Sequence, residues 1–363
     1  MSKKILFVAG QVRDRSPAQR FRFEQYLDYF HENGYECELA HLLTAPEAKV
    51  FYSKGKTFSK TWIIIKSSFR RFRQCLKRNS YDIIFIQREA FLTGTIFFEK
   101  MLRRSKAKLI FDFDDAIWLQ SVSDMNKRFS FLKNPEKTQT LVKLADFVIA
   151  GNSYLADYSL RYNPQVTIIP TTIDTDEYQP QKVNNENHNP ITIGWSGSFS
   201  TIAHFKLAVP ALIQIQKKYG NKVQIKVIGD GSYKDDILNV TSFDWDKANE
   251  LTQLNSFDIG IMPLPDDDWS KGKCGLKGLQ YMALEIPTIM SPVGVNSEII
   301  ADGVNGFIAS TESEWVDKLA RLIESQSLRQ SLGKLGRKTV VERYSVMSQR
   351  QVYLNVLNGL SGT

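Results

Sequence analysis

Three cysteines and four histidines are few for a chain of 363 residues. Cys37, Cys75 and Cys274 lie far apart, and neither they nor the histidines show metal-ligand spacing. This argues against a disulfide scaffold and a zinc site. Long hydrophobic runs are lacking too. No uninterrupted apolar stretch approaches the ~20 residues that a membrane-spanning helix requires. The run Ile5 to Ala9 is too short for the core of a signal peptide, and no cleavage pattern follows it. The expectation is a reduced, cytoplasmic protein. With 42% hydrophobic and 24% charged residues, a wholly disordered or collagen-like chain is excluded, and the length suggests two domains.

Acidic residues are scarce in one region. Residues 1–180 carry 28 Lys and Arg against 20 Asp and Glu, so the whole net charge of +8 lies there. From Lys49 to Arg78 there are ten basic residues and no acidic one, interleaved with Phe51, Tyr52, Phe58, Trp62, Phe69 and Phe72. Such a segment suits an anionic membrane surface. The alternative is a solvated loop followed by a helix whose aromatics pack inward. Nucleic acid is not an expected partner, because no zinc finger or paired aromatic-basic strand accompanies the charge.

The apolar pattern alternates between short continuous runs and helical stretches. Strands are expected at 4–9, 38–43, 82–87, 108–113, 147–150 and 166–170, with helices between most of them. Ser16-Pro17 marks a helix start, and Phe23, Tyr26, Leu27 and Phe30 share one face up to Gly34. A polar, proline-ended stretch at 183–190 reads as a linker, after which strands recur at 191–195, 223–228, 258–262 and 287–290. Residues 344–360 form a final amphipathic helix. The architecture implied is α/β: two tandem doubly wound parallel-sheet domains. Ligands in such sheets collect beyond the carboxyl ends of the strands.

Several candidate groups fall at those ends. Ser16, Arg20 and Arg22 follow the first strand, where a helix N-terminus plus a guanidinium suits an anion. Glu89 closes the 82–87 strand in Gln87-Arg88-Glu89. Asp112, Asp114 and Asp115 end another; three carboxylates in an apolar setting need a metal, sugar hydroxyls or a nearby arginine. In the second half, Gly197 and Ser198 follow a strand in a turn that lets backbone approach a phosphate. Gly229 and Gly294 mark two further turns. Between them, Gly272, Gly275 and Gly278 lead into a helix, with Lys273 and Lys277 on one face and Gln280 on the same side. Amides, two ammonium groups and a helix dipole suit a diphosphate. The order of a P-loop is missing.

Residues 258–307 resemble the donor-binding domain of retaining glycosyltransferases of family 4, which have the GT-B fold. The resemblance rests on Asp258-Ile-Gly-Ile-Met-Pro-Leu, Leu279-Gln-Tyr-Met-Ala-Leu-Glu-Ile-Pro-Thr-Ile and Val293-Gly-Val-Asn-Ser-Glu-Ile-Ile-Ala-Asp-Gly-Val-Asn-Gly-Phe. Ile168-Ile-Pro-Thr-Thr-Ile-Asp174 and Gly229-Asp-Gly231 are also similar. The resemblance implies two Rossmann-like domains facing a cleft: an acceptor domain at 1–180, a linker at 181–189 and a nucleotide-sugar domain at 190–344. The last helix, 345–363, is expected to pack back on the first domain. It also implies retaining sugar transfer from a nucleotide diphosphate, UDP or GDP, in which the leaving phosphate takes the acceptor proton.

This chain departs from the family at several positions. Of the family's two glutamates, Gly272 stands at the first and Gln280 at the second. The usual Arg and Lys after the first donor-domain strand are replaced by Gly194-Trp-Ser-Gly-Ser198. Asp114 stands where many relatives have His. The resemblance therefore assigns the diphosphate to Lys273, Lys277, Arg20 and the amides near Gly197, with Ser16, Ser198, Gly229 and Gly294 around them. Gln280 falls to the ribose and Trp245 to the base, while Asp114 and Glu89 face the sugar or acceptor. Lys277 stabilises the leaving group, and no metal or cofactor is required. The acceptor is expected to be a lipid-linked or polysaccharide intermediate of a bacterial surface glycan, handled at the inner membrane face. A nucleotide-sugar epimerase and a silent nucleotide-binding scaffold are the alternatives.

Overall fold

A computed structural model describes residues 2–53, 55–119, 134, 136–181 and 190–361. The expected linker at 181–189 lies outside them except for Gln181. The chain divides into two compact units: residues 1–171 with 349–363, and residues 172–348. Residues 172–180 therefore group with the second unit.

In the first unit, β1 (Lys3–Gln11), β2 (Tyr35–Leu43), β3 (Ile83–Gln87), β4 (Lys108–Phe113), β5 (Phe147–Ala150) and β6 (Val166–Ile168) form one parallel sheet. Their order is β2-β1-β3-β4-β5-β6. Helices cover the sheet, so the central strands are apolar throughout; Ile5 to Ala9 are all at most 1% exposed. Register pairs Ile5 with Ile83, and Ile83 with Lys108. The second unit repeats the plan with β7 (Ile191–Ser196), β8 (Val223–Ile228), β9 (Val240–Phe243), β10 (Ile259–Met262), β11 (Thr288–Met290) and β12 (Phe307–Ile308). The order is β12-β11-β10-β7-β8-β9, again all parallel. Two doubly wound α/β sheets are thus what the alternating pattern implied.

Two local expectations need correction. The helix expected from Pro17 to Gly34 is broken into Pro17–Arg20, a short 3-10 turn at Glu24–Tyr26, and Leu27–Glu32. Phe21, Arg22 and Phe23 are all buried, and three consecutive buried residues cannot share one face of a continuous helix. Phe51 of the basic stretch is buried, but the aromatics of the helix that follows do not pack inward as the alternative had it. The helix Thr57–Leu76 buries Lys60, Ile63, Ser67, Arg71 and Cys75. Phe58, Trp62, Phe69 and Phe72 face outward. Arg71 explains the orientation. Its guanidinium donates to the carbonyls of Ala9 and Ala40, at 2.9 and 2.8 Å, and to that of Ala90 at 2.8 Å. It thereby ties the helix to β1 and β2.

The last helix is Val346–Ser361. Its residues from 349 onward pack within the first unit, where the Tyr353 ring lies 4.6 Å from Tyr26 and 5.9 Å from Phe30. Tyr35 donates its hydroxyl to Asn358 at 2.8 Å.

Candidate functional site

In the second unit, β7 and β10 are neighbours whose chains continue toward opposite edges of the sheet. This is the topological switch point, the place where such sheets open a crevice at their carboxyl ends. The helix Leu276–Ala283 follows β10 and starts there. Tyr281 fixes it to the end of β7: its hydroxyl accepts the Ser196 N–H at 2.7 Å and shares a 2.8 Å hydrogen bond with Ser196 Oγ.

This anchoring sets the position of Lys277. Its ammonium lies 4.5 Å over the Trp195 ring and 3.4 Å from Thr201 Oγ1. Burial, with Lys273 as a like-charged neighbour, lowers Lys277 to about 7. Lys273 itself sits over Trp269, 5.3 Å from the ring centre. His204 joins them. Burial and both lysines push it down to about 4, and its buried Nδ1 has no hydrogen-bond partner. Lys277, Lys273 and His204 thus converge on one end of the sheet, where burial and the neighbouring positive charge work against the charged forms of Lys277 and His204. An entering anion would favour those forms.

The turns around this cluster are packed against one another. Gly229 has φ of 113°, and a side chain there would overlap the Gly197 carbonyl. Gly294, with φ of 55°, lies against the Lys271 backbone, where a Cβ would come within 2.7 Å of the carbonyl oxygen. The amides of Gly197, Ser198 and Gly229 are already engaged, by Ile228 O, Thr201 Oγ1 and Phe243 O at 2.8, 3.0 and 2.7 Å. The structure thus places those glycines as spacers and leaves the lysines as the groups that can meet an anion.

Gln280 is buried, and its amide donates to the Tyr178 hydroxyl at 2.9 Å and to Glu250 Oε1 at 3.3 Å. Glu250 also accepts Trp245 Nε1 at 3.0 Å and the Tyr178 hydroxyl at 3.0 Å. Trp245 and Gln280 are therefore brought together, through two residues that sequence reasoning missed. Tyr178 lies 102 positions from Gln280 and Glu250 lies 30, so no local motif links them.

In the first unit the switch point falls between β1 and β3. Arg88, just past β3, and Asp14, past β1, both have left-handed backbone, with φ of 60° and 67°. Such strain in non-glycine residues is common where function requires it. Arg88 Nε binds Asp114 Oδ1 at 2.7 Å, and Nη2 is 3.7 Å from Asp115. Glu89 pairs with Lys137 Nζ at 3.0 Å. Lys137 also binds Glu99 at 3.2 Å and the carbonyls of Phe91 and Thr93 at 2.7 and 2.8 Å. Tyr52 adds a hydroxyl bonded to Gln11.

Three first-unit expectations change. The triple carboxylate is held by arginines: Asp112 is fully buried against Arg22, with Nη2–Oδ1 at 2.5 Å. Burial pushes that carboxyl up while Arg22 holds it down. Arg22 is thus structural, not a ligand group. Ser16 precedes, and Arg20 ends, a helix of only four residues, too short to add up a useful dipole, and the Ser16 side chain makes no cap hydrogen bond. Arg20 is itself buried, 4.9 Å over the Phe21 ring. Among the described residues no group of three or more His, Cys, Asp or Glu could hold a metal.

Residues 190–325 match the model for glycosyl transferases group 1. An uncharacterized glycosyltransferase of Methanocaldococcus jannaschii is 20% identical over 304 residues, 78% of this chain and 77% of that protein. Among solved structures, Anabaena HepE in complex with UDP and glucose superposes with a TM-score of 0.67 at 14% identity, covering 98% of this chain and 99% of that one. The catalytic domain of Arabidopsis thaliana starch synthase IV, bound to ADP and acarbose, gives 0.71 at 12% identity over 100% of both. The fold of the chain is GT-B, and sequence and fold together support a GT-B glycosyltransferase.

Proposed function

We propose that this chain is a retaining, metal-independent glycosyltransferase of family 4 type that uses a nucleotide diphosphate sugar. The observation that carries the reading is the Lys273–Lys277 pair at the switch point, with Lys277 lowered to about 7. A partly buried lysine short of counter-charge is suited to a diphosphate, which stabilises its charged form. The second unit then holds the donor, and the first the acceptor. UDP is the first nucleotide to test, since HepE was solved with it. In this reading the base and ribose fall to the Trp245–Glu250–Gln280 network. The carboxylate that the resemblance expects at 280 is supplied from Glu250 instead.

The reaction needs little covalent help from the protein. The bond between the anomeric carbon and the phosphate oxygen breaks, the acceptor oxygen takes the same face, and its proton passes to the leaving diphosphate. Positioning and charge stabilisation then carry catalysis. Lys277 and Lys273 stabilise the leaving group, while Asp114 and Glu89 orient the sugar or acceptor hydroxyls. The acceptor proposed is a lipid-linked or polysaccharide intermediate of a bacterial surface glycan, reached from the cytoplasmic face.

The test is turnover of UDP-, GDP- and dTDP-sugars with lipid-linked and oligosaccharide acceptors, with and without EDTA, followed by NMR of the anomeric proton. Acceptor-dependent release of nucleotide diphosphate, unaffected by EDTA and with anomeric configuration kept, supports the reading. An epimerised nucleotide sugar formed without acceptor would replace it with the epimerase. Binding without turnover would leave a silent scaffold.

A further inference from the structure

The helix Thr57–Leu76 carries an apolar stripe that nothing among the described residues covers. Phe58, Trp62, Ile65, Phe69, Phe72 and Leu76 are 87, 52, 41, 67, 41 and 57% exposed. They recur every three or four residues and so share one face along nearly the whole helix, about 30 Å long at 1.5 Å per residue. The opposite face is held down by Arg71 and its three carbonyl partners, so the stripe cannot turn inward without breaking these buried bonds. Single exposed apolar residues are unremarkable on a protein surface; a continuous row of six, four of them aromatic, is not.

Basic side chains border the stripe. Lys66 reaches back over the Trp62 ring at 5.7 Å. An open cavity of about 510 Å³ beside it is lined by Lys66, Phe69, Arg70, Arg73 and Lys77, together with Glu38. Arg70 is paired with Glu47 and Glu38 accepts the Tyr81 hydroxyl, whereas Lys66, Arg73 and Lys77 have no acidic partner among the described residues.

Two occupants suit an apolar stripe of this spacing: a bilayer surface or a second copy of the same helix. The spacing is that of a coiled-coil seam, but such a seam needs opposite charges beside it. Residues 49–78 contain no acidic side chain, so a second copy would bring Lys66 and Arg73 against like charge. Anionic lipid supplies the missing sign, and aromatic rings settle at the headgroup level. No helix among the described residues is long and apolar enough to cross a membrane.

We infer that the helix Thr57–Leu76 lies flat on an anionic bilayer, its aromatic stripe in the acyl boundary and Lys66, Arg73 and Lys77 among the headgroups. The inference stands on this helix alone and sharpens the acceptor reading above without depending on it.

The experiment is co-sedimentation of the full chain with phosphatidylcholine vesicles, with and without phosphatidylglycerol, at low and high salt. The wild type should bind the anionic vesicles and weaken as salt rises. Phe58→Ser/Phe69→Ser should bind at least about tenfold more weakly while melting like the wild type, since both rings are exposed. Lys66→Glu/Arg73→Glu should lose the preference for anionic lipid. UDP binding, measured alongside, should stay unchanged in both variants, so a failed donor reading and a failed membrane reading are told apart. No binding to anionic vesicles, or binding that survives the double serine variant, overturns the inference. A concentration-dependent dimer abolished by that variant overturns it in favour of the second copy.

Discussion

Lys277 makes opposite demands on the empty and the occupied protein. Its folded pKa of about 7 lies below the ordinary 10.5, so between those values the unfolded chain binds more protons than the folded one. The folded state is therefore penalised by this residue as pH falls from about 10.5 to about 7, and fully so below that. Lys277→Met should melt higher than the wild type at pH 7, with the gap closing toward pH 10.5. Thermal unfolding across that range checks the sign. Gln280 gives a second prediction. Gln280→Glu would set a carboxylate beside buried Glu250 and should cost about 2–3 kcal/mol at neutral pH, partly recovered as pH falls. The exchange Glu250→Gln/Gln280→Glu should restore most of the loss, as denaturant titrations of the three variants would show. Lys273 and Lys277 were legible in the sequence as lysines at a glycine-rich helix start. The helical face expected to carry both is not formed: Lys273 lies in the loop before the helix Leu276–Ala283, which starts only after the left-handed Gly275. Glu250 and Tyr178 were not legible, since only the fold brings them to Gln280. Arg88 was visible as a residue but its left-handed backbone was not.

The helix Thr57–Leu76 shows how a single side chain orients an element. By composition its aromatics could have gone inward, and the charged face outward. Arg71 decides otherwise, because its guanidinium donates to three strand and loop carbonyls beneath the helix and is itself fully buried. Arg71→Met should lose about 3 kcal/mol or more of stability, because it removes the guanidinium's buried bonds to those carbonyls, whereas Arg73→Met on the exposed side should change stability little. Equilibrium unfolding in urea distinguishes them. The same physics explains the broken helix after Ser16. Its apolar periodicity was readable, but the burial of Arg22 on Asp112, 90 positions away, was not.

On the scale of the whole chain, the alternation of short apolar runs with helical stretches was enough to read two doubly wound sheets. The weakest strands escaped: Val240–Phe243 is a half-exposed edge strand and Phe307–Ile308 has only two residues, too few for any period to show. Each sheet has its own switch point, with Arg88 in left-handed backbone beside carboxylates in the first unit and Lys277, lowered to about 7, beside Lys273 in the second. The division of labour proposed here, acceptor on one and donor on the other, follows from that difference. Its most direct test is calorimetric titration of UDP at pH 8 in buffers of different ionisation enthalpy, with GDP and dTDP as alternatives. The wild type should bind one diphosphate and take up about one proton as Lys277 recharges. Lys277→Met should bind it about 100-fold more weakly with no uptake, while its affinity for the nucleoside is unchanged. Equal binding of the diphosphate by both proteins, or no binding of any of the three by the wild type, would contradict the account.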